Sequence, residues 1–388
     1  MHTNAYFNTR RWPWAAIVAG VVLMALGAAA IARSDELVQG TGRLLRQQVV
    51  WLALGLGLGG AAALVDYRRL ARFGFTIYAV LILALAAVYF FPAVNGAHRW
   101  IRIGGIGIQP SEFAKLAFIL ALARSLKLQR LAGGLAQADD DRPRAPALDR
   151  FVAEALWPTA LALAPMLLVL KEPDLGTSLV FLPVLFAMLF AAGARRRDLL
   201  LLAMCGLVLA PLLWSQMSRE QRSRITALAE QNGPRETATA DGFHLDQAKR
   251  MFATGGWWGT IWQSTADEAD DRPAATRLPE PHTDSIFCVV TERFGLAGAG
   301  LLLLLYLVLV GQCLLVAART EDDCGRLISA GVAALFAAEV LINTGMLAGL
   351  LPITGLALPL VSYGGSDLIA HLLALGIVAN ISRNGAET

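Results

Sequence analysis

Long apolar runs separated by short polar connections constrain this chain more than any other feature of its sequence. Each run is about 20 residues long, the length of a helix that crosses the hydrocarbon core of a bilayer. With 56% hydrophobic and only 16% charged residues, the chain is too apolar for a soluble protein of 388 residues. The runs cover approximately 12–32, 44–65, 74–91, 111–123, 151–170, 177–193, 197–215, 285–317, 325–350 and 356–380. We therefore predict an all-α polytopic membrane protein with about ten transmembrane helices, of which 111–123 is short and partly re-entrant.

The distribution of arginine and lysine among the connections predicts how these helices are oriented. Basic residues occupy every second connection, at 10–11, 68–72, 124–150, 195–197 and 319–326. Because short basic loops stay on the cytoplasmic side, we expect these connections and both termini to be cytoplasmic. The first run also has the features of a cleavable signal peptide, but the alternation of basic loops fits best when this run is retained.

Two polar connections are much longer than the others. Residues 124–150 are predicted to form a cytoplasmic linker, because they are rich in alanine, aspartate, arginine and proline. Residues 216–283 are predicted to form a large extracytoplasmic loop between the seventh and eighth helices. Within this loop, 243–259 combines basic residues, aromatic residues and glycines, which is typical of a strip lying against membrane lipid. We treat 1–388 as a single membrane domain, and no part of it resembles a nucleic-acid-binding module.

The large loop ends at Asp284, immediately before the eighth apolar run. A carboxylate at the mouth of a membrane segment is costly to keep, so Asp284 is a candidate functional residue. Helix capping is the simpler explanation for an aspartate at this position. Capping does not explain why Glu280, His282 and Thr283 crowd the same short segment, so we favour a functional role.

The outer connection after the third run carries the densest group of charges. Arg99, Arg102 and Lys115 can bind phosphate groups at the outer leaflet, with Glu112 orienting them or holding a metal ion. Alternatively, the arginines and Trp100 contact lipid headgroups. In that case Glu112 and Lys115, three residues apart on one helix, form a neutralised buried pair. The number of charges and glycines in one loop favours a functional role.

Two further outer connections carry polar groups that are candidates for the same site. In the turn at 171–178, Asp174 or Thr177 can cap the following helix. Three charges in so short a turn also favour a ligand or metal contact by Glu172 or Asp174. The segment 351–367 places prolines, glycines and hydroxyl groups, including that of Ser362, at membrane depth. Irregular backbone there must be buried in protein or line a cavity, so we predict that this segment forms a wall of the site.

Five motifs, in this order along the chain, resemble the signature stretches of one protein family. They are Asn95-Gly-Ala-His-Arg-Trp-Ile101, Gln109-Pro-Ser-Glu-Phe-Ala-Lys115, Glu172-Pro-Asp-Leu-Gly-Thr177, Pro281-His-Thr-Asp284, and Leu351-Pro-Ile-Thr-Gly355 with Val361-Ser-Tyr-Gly-Gly365. Over nearly its whole length the chain is similar to the SEDS family, the RodA, FtsW and SpoVE proteins of the bacterial cell wall. Asp66-Tyr67-Arg68 is closer to the elongation branch and favours a RodA-like protein.

The resemblance implies a ten-helix peptidoglycan glycosyltransferase that polymerises lipid II at the outer face of the bacterial cytoplasmic membrane. It implies a class B penicillin-binding protein, a transpeptidase, as partner. Asp284 matches the essential carboxylate of the family. Trp100, Glu112 and Lys115 match positions that line the same outer cavity, and Gln247 and Lys249 match a polar strip in the large loop. Four positions differ from the family pattern, namely Ser285, Thr260, Arg293 and Asp367.

The reaction that the resemblance implies transfers a sugar from an α-linked diphosphate into a β-linked polymer, with inversion. It needs a base on the acceptor hydroxyl and positive charge on the departing diphosphate. Asp284 is the candidate base, acting directly or by holding a divalent cation, and Glu112 is a second candidate ligand. Mg²⁺ or Mn²⁺ would suit carboxylate and phosphate oxygens. The candidates to bind the diphosphate are Arg99, Arg102, Lys115 and Lys249.

Two other functions fit parts of the same pattern. A lipid II flippase or another transporter also uses broken helices and polar groups at membrane depth. A catalytically silent scaffold for a penicillin-binding protein is the third reading. The conspicuous charges gather on the outer side, which favours the enzyme over a transporter. The presence of Asp284, Glu112 and Lys115 favours the enzyme over a scaffold.

Overall fold

Helices make up most of the structure, a computed structural model that describes residues 12–38, 41–93, 97–103, 106–131, 155–230, 240–262 and 281–385. They are α1 (Trp14–Val38), α2 (Arg43–Leu64), α3 (Tyr67–Arg72), α4 (Gly74–Val88), α5 (Pro110–Leu131), α6 (Trp157–Lys171), α7 (Leu175–Ala191), α8 (Arg196–Gln216), α9 (Arg219–Glu230), α10 (Ala240–Gly255), α11 (Ile286–Arg319), α12 (Asp323–Leu347) and α13 (Gly365–Asn384). The antiparallel strands β1 (Ile101–Ile103) and β2 (Ile106–Ile108) precede α5. A 3₁₀ turn at Thr260–Trp262 follows α10. The protein is an all-α polytopic membrane protein.

A helix lies within or over each of the ten predicted apolar runs. By length and composition, α1, α2, α11, α12 and α13 can cross a membrane, and α4, α6 and α7 are shorter apolar helices. The number of crossings and their orientation therefore stay predictions. The last helix begins at Gly365, later than its apolar run, because the irregular segment predicted from the prolines and glycines precedes it.

That 111–123 is partly re-entrant stays a prediction, but the expectation of a short helix is wrong, because α5 has 22 residues and continues to Leu131. Its last turns carry charged side chains that find partners on the neighbouring helix. Lys127 pairs with Asp322, and Arg130 pairs with Asp323, each at 2.5 Å. The helix therefore continues beyond the point where its apolar run ends.

Both predicted polar excursions are described only in part. Of the predicted linker at 124–150, residues 132–150 lie outside the described residues. Of the predicted loop at 216–283, residues 231–239 and 263–280 lie outside them. The described parts of the loop are α9, α10, the 3₁₀ turn and the segment that leads into α11.

The centre of the bundle is α5, whose side chains from Ala114 to Ala123 are all buried. A helix that is buried on every side belongs to the core of a protein. The helices around it pack in pairs: α13 along α2, α12 against α11 and α7, and α4 against α5. Their outward faces expose large apolar side chains, such as Leu83, Leu207 and Leu307. Such faces are suited to lipid rather than to water.

A break in α11 fixes the outer loop helix α10 in place. Gly295 has a φ of 69°, in the left-handed region that glycine adopts at little cost. The break frees backbone N–H groups, and those of Leu296 and Ala297 donate to the carbonyl oxygens of Gly256 (2.8 Å) and Trp257 (3.1 Å). The turn after α10 is therefore bonded to α11, the helix that Asp284 precedes.

Candidate functional site

Asp284 lies in the turn that leads into α11, and its side chain is half-buried. The N-cap residue of α11 is Ser285, whose side chain makes no capping hydrogen bond. The Ser285 hydroxyl instead donates a hydrogen bond to Asp284 Oδ1 at 3.1 Å. Ser285 rather than Asp284 therefore occupies the N-cap position, and the family departure at Ser285 places a hydroxyl group on the candidate carboxylate.

The irregular segment before α13 holds the Asp284 turn from one side. The buried Ser362 hydroxyl donates to the carbonyl oxygen of Thr283 at 2.5 Å and accepts from the amide of Leu358 at 2.8 Å. The amide of Tyr363 donates to the carbonyl oxygen of His282 at 2.9 Å. The prediction that irregular backbone walls this region is consistent with these contacts, and Ser362 acts on the backbone of the turn.

Asn343 on α12 holds the same turn from a second side. Its side-chain amide donates to the backbone oxygens of Asp284 (2.8 Å) and Leu356 (2.6 Å). One buried side chain thus joins α12, the Asp284 turn and the irregular segment. The position of Asp284 is set by this network as well as by the start of α11.

Gly355 lies close to Asp284 and to an arginine that sequence analysis did not single out. Its φ of 69° is again left-handed. A Cβ atom at Gly355 would lie 3.9 Å from both Asp284 Oδ2 and Arg224 Nη1. Arg224 belongs to α9 in the outer loop, and its Nη1 donates to the carbonyl oxygen of Thr354 at 3.4 Å. The fold therefore brings a carboxylate and a guanidinium, far apart in sequence, close to the same glycine.

Arg99 and Asp174 meet at the outer turn between α6 and α7. The guanidinium of Arg99 donates to the carbonyl oxygens of Glu172 (2.9 Å) and Pro173 (2.5 Å). Its Nη1 lies 4.0 Å from Asp174 Oδ2. Asp174 also caps α7, as the sequence predicts, by accepting from the amide and hydroxyl of Thr177, both at 3.1 Å. Both predicted residues thus hold the turn itself.

Glu172 is the most unusual carboxyl group of this turn. Its side chain is fully buried, and neither carboxyl oxygen has a hydrogen-bond partner among the residues that the structure describes. Burial and the nearby charge of Asp174 raise the pKa of Glu172 to about 8, although Arg99 opposes the shift. Glu172 is therefore protonated near neutral pH, since a buried carboxylate without partners is disfavoured.

Glu112 and Lys115 belong to a buried cluster of five ionisable side chains. Their ion pair, one of the two readings of the sequence, is present at 2.7 Å. Lys115 also donates to Glu339 on α12. His371 on α13 lies 2.5 Å from Glu339 through Nε2 and 3.2 Å from Asp367 through Nδ1. Sequence analysis missed Glu339 and His371, although ionisable residues inside apolar helices are themselves a signal.

Gln109 joins this cluster to the outer turn. Its backbone amide donates to Ser366 Oγ at 3.0 Å, at the start of α13. Its side-chain amide donates to Asp174 Oδ2 at 3.4 Å. The turn that holds Asp174, the start of α5 and the start of α13 are thus linked by one side chain.

Two groups in the described part of the chain bear on metal binding. Glu339, Asp367 and His371 bring possible ligand atoms within 4.8 Å of one another. However, the two ring nitrogens of His371 already contact carboxylates, and the Lys115 ammonium already supplies positive charge to Glu112 and Glu339. This cluster is therefore a poor fit for an added cation. The half-buried Asp284 remains the better candidate ligand, since its oxygens are of the kind that Mg²⁺ prefers.

The remaining predicted residues lie on the outer hairpin and on α10. The Trp100 ring packs over Gly107, where an added Cβ would lie 3.2 Å from the ring. Arg102 is exposed on β1, opposite the same glycine. On α10, Gln247 is buried and Lys249 is exposed. Their predicted contacts with substrate stay predictions.

An apolar groove of 650 Å³ lies between α10 and the outer part of α11. Its walls include the side chains of Phe252, Phe287, Leu296 and Leu303. Trp257 stands at the groove with 72% of its surface exposed. Aromatic and aliphatic walls of this kind suit a hydrocarbon chain rather than a polar ligand.

The fold and this site define a class of protein: a polytopic membrane protein with a carboxylate and a guanidinium beside an apolar groove at one end of its helices. The chain belongs to the FtsW, RodA and SpoVE family of cell cycle proteins, whose family model matches residues 11–387. The resemblance drawn from the five motifs is thereby confirmed.

Curated relatives include three members of this family. The chain is 34% identical over 343 residues to the probable peptidoglycan glycosyltransferase FtsW of Geobacter sulfurreducens, with 87% of this chain and 85% of the relative covered. It is 34% identical over 342 residues to the peptidoglycan glycosyltransferase MrdB of Escherichia coli K12, with the same coverage. It is 34% identical over 291 residues to the stage V sporulation protein E of Bacillus subtilis, covering 74% and 72%. Since these relatives are equally similar, the preference for a RodA-like protein stays a prediction.

Solved structures agree with this assignment over the whole length of the chain. One is the crystal structure of the rod shape determining protein RodA of Thermus thermophilus, with a TM-score of 0.69, 27% identity and coverage of 99% and 100%. Another is a chain in a structure described as the structural coordination of polymerization and crosslinking by a peptidoglycan synthase complex. It has a TM-score of 0.77, 29% identity and coverage of 97% and 99%.

Proposed function

We propose that this chain is a peptidoglycan glycosyltransferase that polymerises lipid II at the outer face of the bacterial cytoplasmic membrane. The observation that carries the proposal is the placement of Asp284. Asp284 lies at the ends of helices, where its half-buried side chain is bonded to Ser285 and its backbone to Asn343. Relatives of this chain are named peptidoglycan glycosyltransferases. A role in cell elongation or division follows from the same family.

In the proposed reaction Asp284 acts as the base. The acceptor hydroxyl oxygen attacks the anomeric carbon of the donor sugar, and its proton passes to the Asp284 carboxylate. The bond from that carbon to the diphosphate breaks, and the electron pair leaves with the diphosphate. A Mg²⁺ or Mn²⁺ ion, if held by Asp284 and the diphosphate, would supply further positive charge to the leaving group.

The lipid part of such a substrate can bind in the groove between α10 and α11, beside Asp284. Its apolar walls include Phe287, three residues along the chain from Asp284. A polyprenyl chain entering from the membrane could lie there while its diphosphate remains at the polar ends of the helices. This arrangement supports a lipid-linked sugar as the substrate.

The proposed partner is a class B penicillin-binding protein that crosslinks the new glycan strands. The proposal is supported by the similarity of this chain to one in a peptidoglycan synthase complex. The proposed orientation, with both termini in the cytoplasm, rests on the basic connections in the sequence. It places Asp284 on the side of the membrane where such a partner would act.

A lipid II flippase is the competing function, and the buried charge cluster bears on it. A transporter would need ionisable groups along a path through the membrane. Lys115 and His371 lie within two turns of the starts of their helices, and Glu339 about two turns from the end of α12. These are the helix ends nearest to Asp284, which favours a site on one side over a path across the bilayer.

The test is polymerisation of purified lipid II by this protein with its partner synthase, whose transpeptidase is blocked. Wild type is compared with Asp284→Asn and Asp284→Ala. The matched control is Asp246→Asn, another outer-loop aspartate, whose ion pair with Arg250 is exposed. Thermal melting in detergent checks that all four proteins are equally folded.

We expect polymer from wild type and Asp246→Asn and none from either Asp284 variant. Equal polymer from all four proteins would refute the role of Asp284. If folded wild type makes no polymer but moves labelled lipid II across vesicle membranes, the flippase reading replaces the proposed enzyme.

A further inference from the structure

The leaving diphosphate of the proposed reaction needs a cation. Two of the four predicted candidates make other contacts in the structure. The Arg99 guanidinium is bonded to carbonyl oxygens of the turn between α6 and α7. The Lys115 ammonium is closed inside the buried cluster and contacts Glu112 and Glu339. Arg102 and Lys249 are exposed on the outer surface. A cation that lies directly beside Asp284 is a stronger candidate than any of these.

Arg224 is that cation. Its Nη1 and Asp284 Oδ2 each lie 3.9 Å from the point where a Gly355 Cβ would be, so the two atoms are no more than twice that distance apart. Because Gly355 has no side chain, no Cβ atom occupies this point near the two charged groups. The left-handed backbone at Gly355 also makes any other residue there strained.

Contacts with the backbone hold both groups near Gly355. Arg224 Nη1 donates to the carbonyl oxygen of Thr354, the residue before Gly355. Asn343 ties the backbone of Asp284 to that of Leu356, the residue after Gly355. The two neighbours of Gly355 in the chain are therefore bonded, directly or through Asn343, to Arg224 and to Asp284.

We propose that Arg224 binds the diphosphate of the lipid-linked donor beside Gly355, close to Asp284. This inference rests on the proposed function and names a substrate-binding residue for it. A guanidinium can bind two phosphate oxygens at once, and it cannot lose its charge. When the bond from the anomeric carbon to the diphosphate breaks, the electron pair moves onto an oxygen that Arg224 stabilises. The proton of the acceptor meanwhile passes to the Asp284 carboxylate.

The same helix provides a matched control. Arg222 donates to the carbonyl oxygens of Trp214 (3.1 Å) and Ser215 (2.8 Å) at the end of α8. Its guanidinium also lies over the Trp214 ring, 6.0 Å from the centroid. Arg222 therefore faces the α8 end of the loop, away from the contacts that Arg224 makes at Thr354 and Gly355. Replacing it removes one positive charge from α9 and leaves the contacts at Thr354 and Gly355 unchanged.

The experiment measures the kcat and KM of lipid II polymerisation for wild type, Arg224→Gln, Arg224→Lys and Arg222→Gln, each with the partner synthase. We expect Arg224→Gln to lose about 100-fold or more in kcat, the size of effect seen when one donor to a developing anion is removed. Arg224→Lys should recover part of the loss, because it keeps the charge without the two-point geometry. Arg222→Gln should stay within about threefold of wild type.

A second readout separates failure of this inference from failure of the proposed function. Binding of fluorescent lipid II is titrated against Asp284→Asn and against Asp284→Asn with Arg224→Gln, so that no turnover is needed. Weaker binding by the double variant supports the inference even if no protein makes polymer. Unchanged binding together with unchanged kcat in Arg224→Gln overturns it. A loss in Arg222→Gln as large as in Arg224→Gln also overturns it, since the effect would then be general charge on α9.

Discussion

His371 Nε2 lies 2.5 Å from Glu339 Oε2 and joins α13 to α12 inside the bundle. The contact belongs to the buried cluster that also contains Glu112, Lys115 and Asp367. Three carboxylates there face one lysine and one histidine. The cluster is neutral when His371 carries a proton and one carboxyl group keeps its own.

This charge balance makes His371 more important for stability than Asp367. His371→Gln would leave three carboxylates against one lysine, and unpaired buried charge typically costs about 3–5 kcal/mol. Asp367→Ser restores the usual family residue and leaves two carboxylates against two cations, so we expect a smaller loss. In the His371→Gln background, Asp367→Ser should recover part of the stability. Thermal melting of the four proteins in detergent checks this order, and a His371→Gln protein as stable as wild type would contradict the balance.

The raised pKa of Glu172 predicts that the stability of the folded protein depends on pH. Its folded-state pKa of about 8 lies above its ordinary value of 4.5. The folded protein therefore binds the proton more tightly than the unfolded chain does. Stability is unaffected by this group below pH 4.5, falls as pH rises towards 8, and stays low above it. Each unit of pKa shift corresponds to about 1.4 kcal/mol, so the loss at high pH is on the order of several kcal/mol.

Glu172→Gln should remove this dependence, because the amide has the shape of the protonated carboxyl group and cannot ionise. Melting temperatures measured from pH 5 to pH 9 should fall less in Glu172→Gln than in wild type. Glu321→Gln, at an exposed carboxylate, is the control and should follow wild type. A parallel fall in all three proteins would show that Glu172 is ionised in the folded state.

Asp322 anchors the opposite end of α12. Burial alone would raise its pKa, but Lys127 and the amide of Gly325 hold the pKa below its usual value. Asp322→Ala should cost about 1–2 kcal/mol through the lost N-cap, and more through the lost contact with Lys127. The neighbouring Asp323→Ala, at a more exposed carboxylate, should cost less. Because the folded pKa is depressed, the difference between wild type and Asp322→Ala should shrink as pH falls into the acid range.

The helices could be read from the sequence because each apolar run has one physical explanation. The irregular segment before Gly365 was also predictable, since prolines and glycines at membrane depth cannot form a regular helix. The length of α5 was not, because its last turns depend on Asp322 and Asp323, which are distant in sequence. Apolar periodicity carries no information about such partners.

The candidate site was predictable at Asp284 and less so around it. Asp284 stands out because a carboxylate beside an apolar run is rare. Arg224 does not stand out, because an arginine in a polar loop is ordinary until the fold brings it to Gly355. Lys115 matched a family motif, but its pairing with Glu339 depends on which helix packs against α5. Sequence therefore identifies chemical groups, and packing decides which of them meet.

Asn343 offers a test of how Asp284 is positioned. Its side-chain amide donates to the backbone oxygens of both Asp284 and Leu356. Asn343→Ala would leave these two oxygens without that donor, at about 1–3 kcal/mol for each one that stays buried and unpaired. The Asp284 turn would then be free to shift relative to Gly355 and Arg224.

We therefore expect Asn343→Ala to lower the kcat of lipid II polymerisation about tenfold or more, since a small misplacement of a catalytic group is costly. KM should change less, because Asn343 is fully buried and does not touch the groove. The control is Thr344→Ala on the same turn of α12, whose hydroxyl donates to the carbonyl oxygen of Val340 in its own helix. If the two variants melt at similar temperatures and still show equal kcat, Asn343 serves stability alone and Asp284 is positioned by the start of α11.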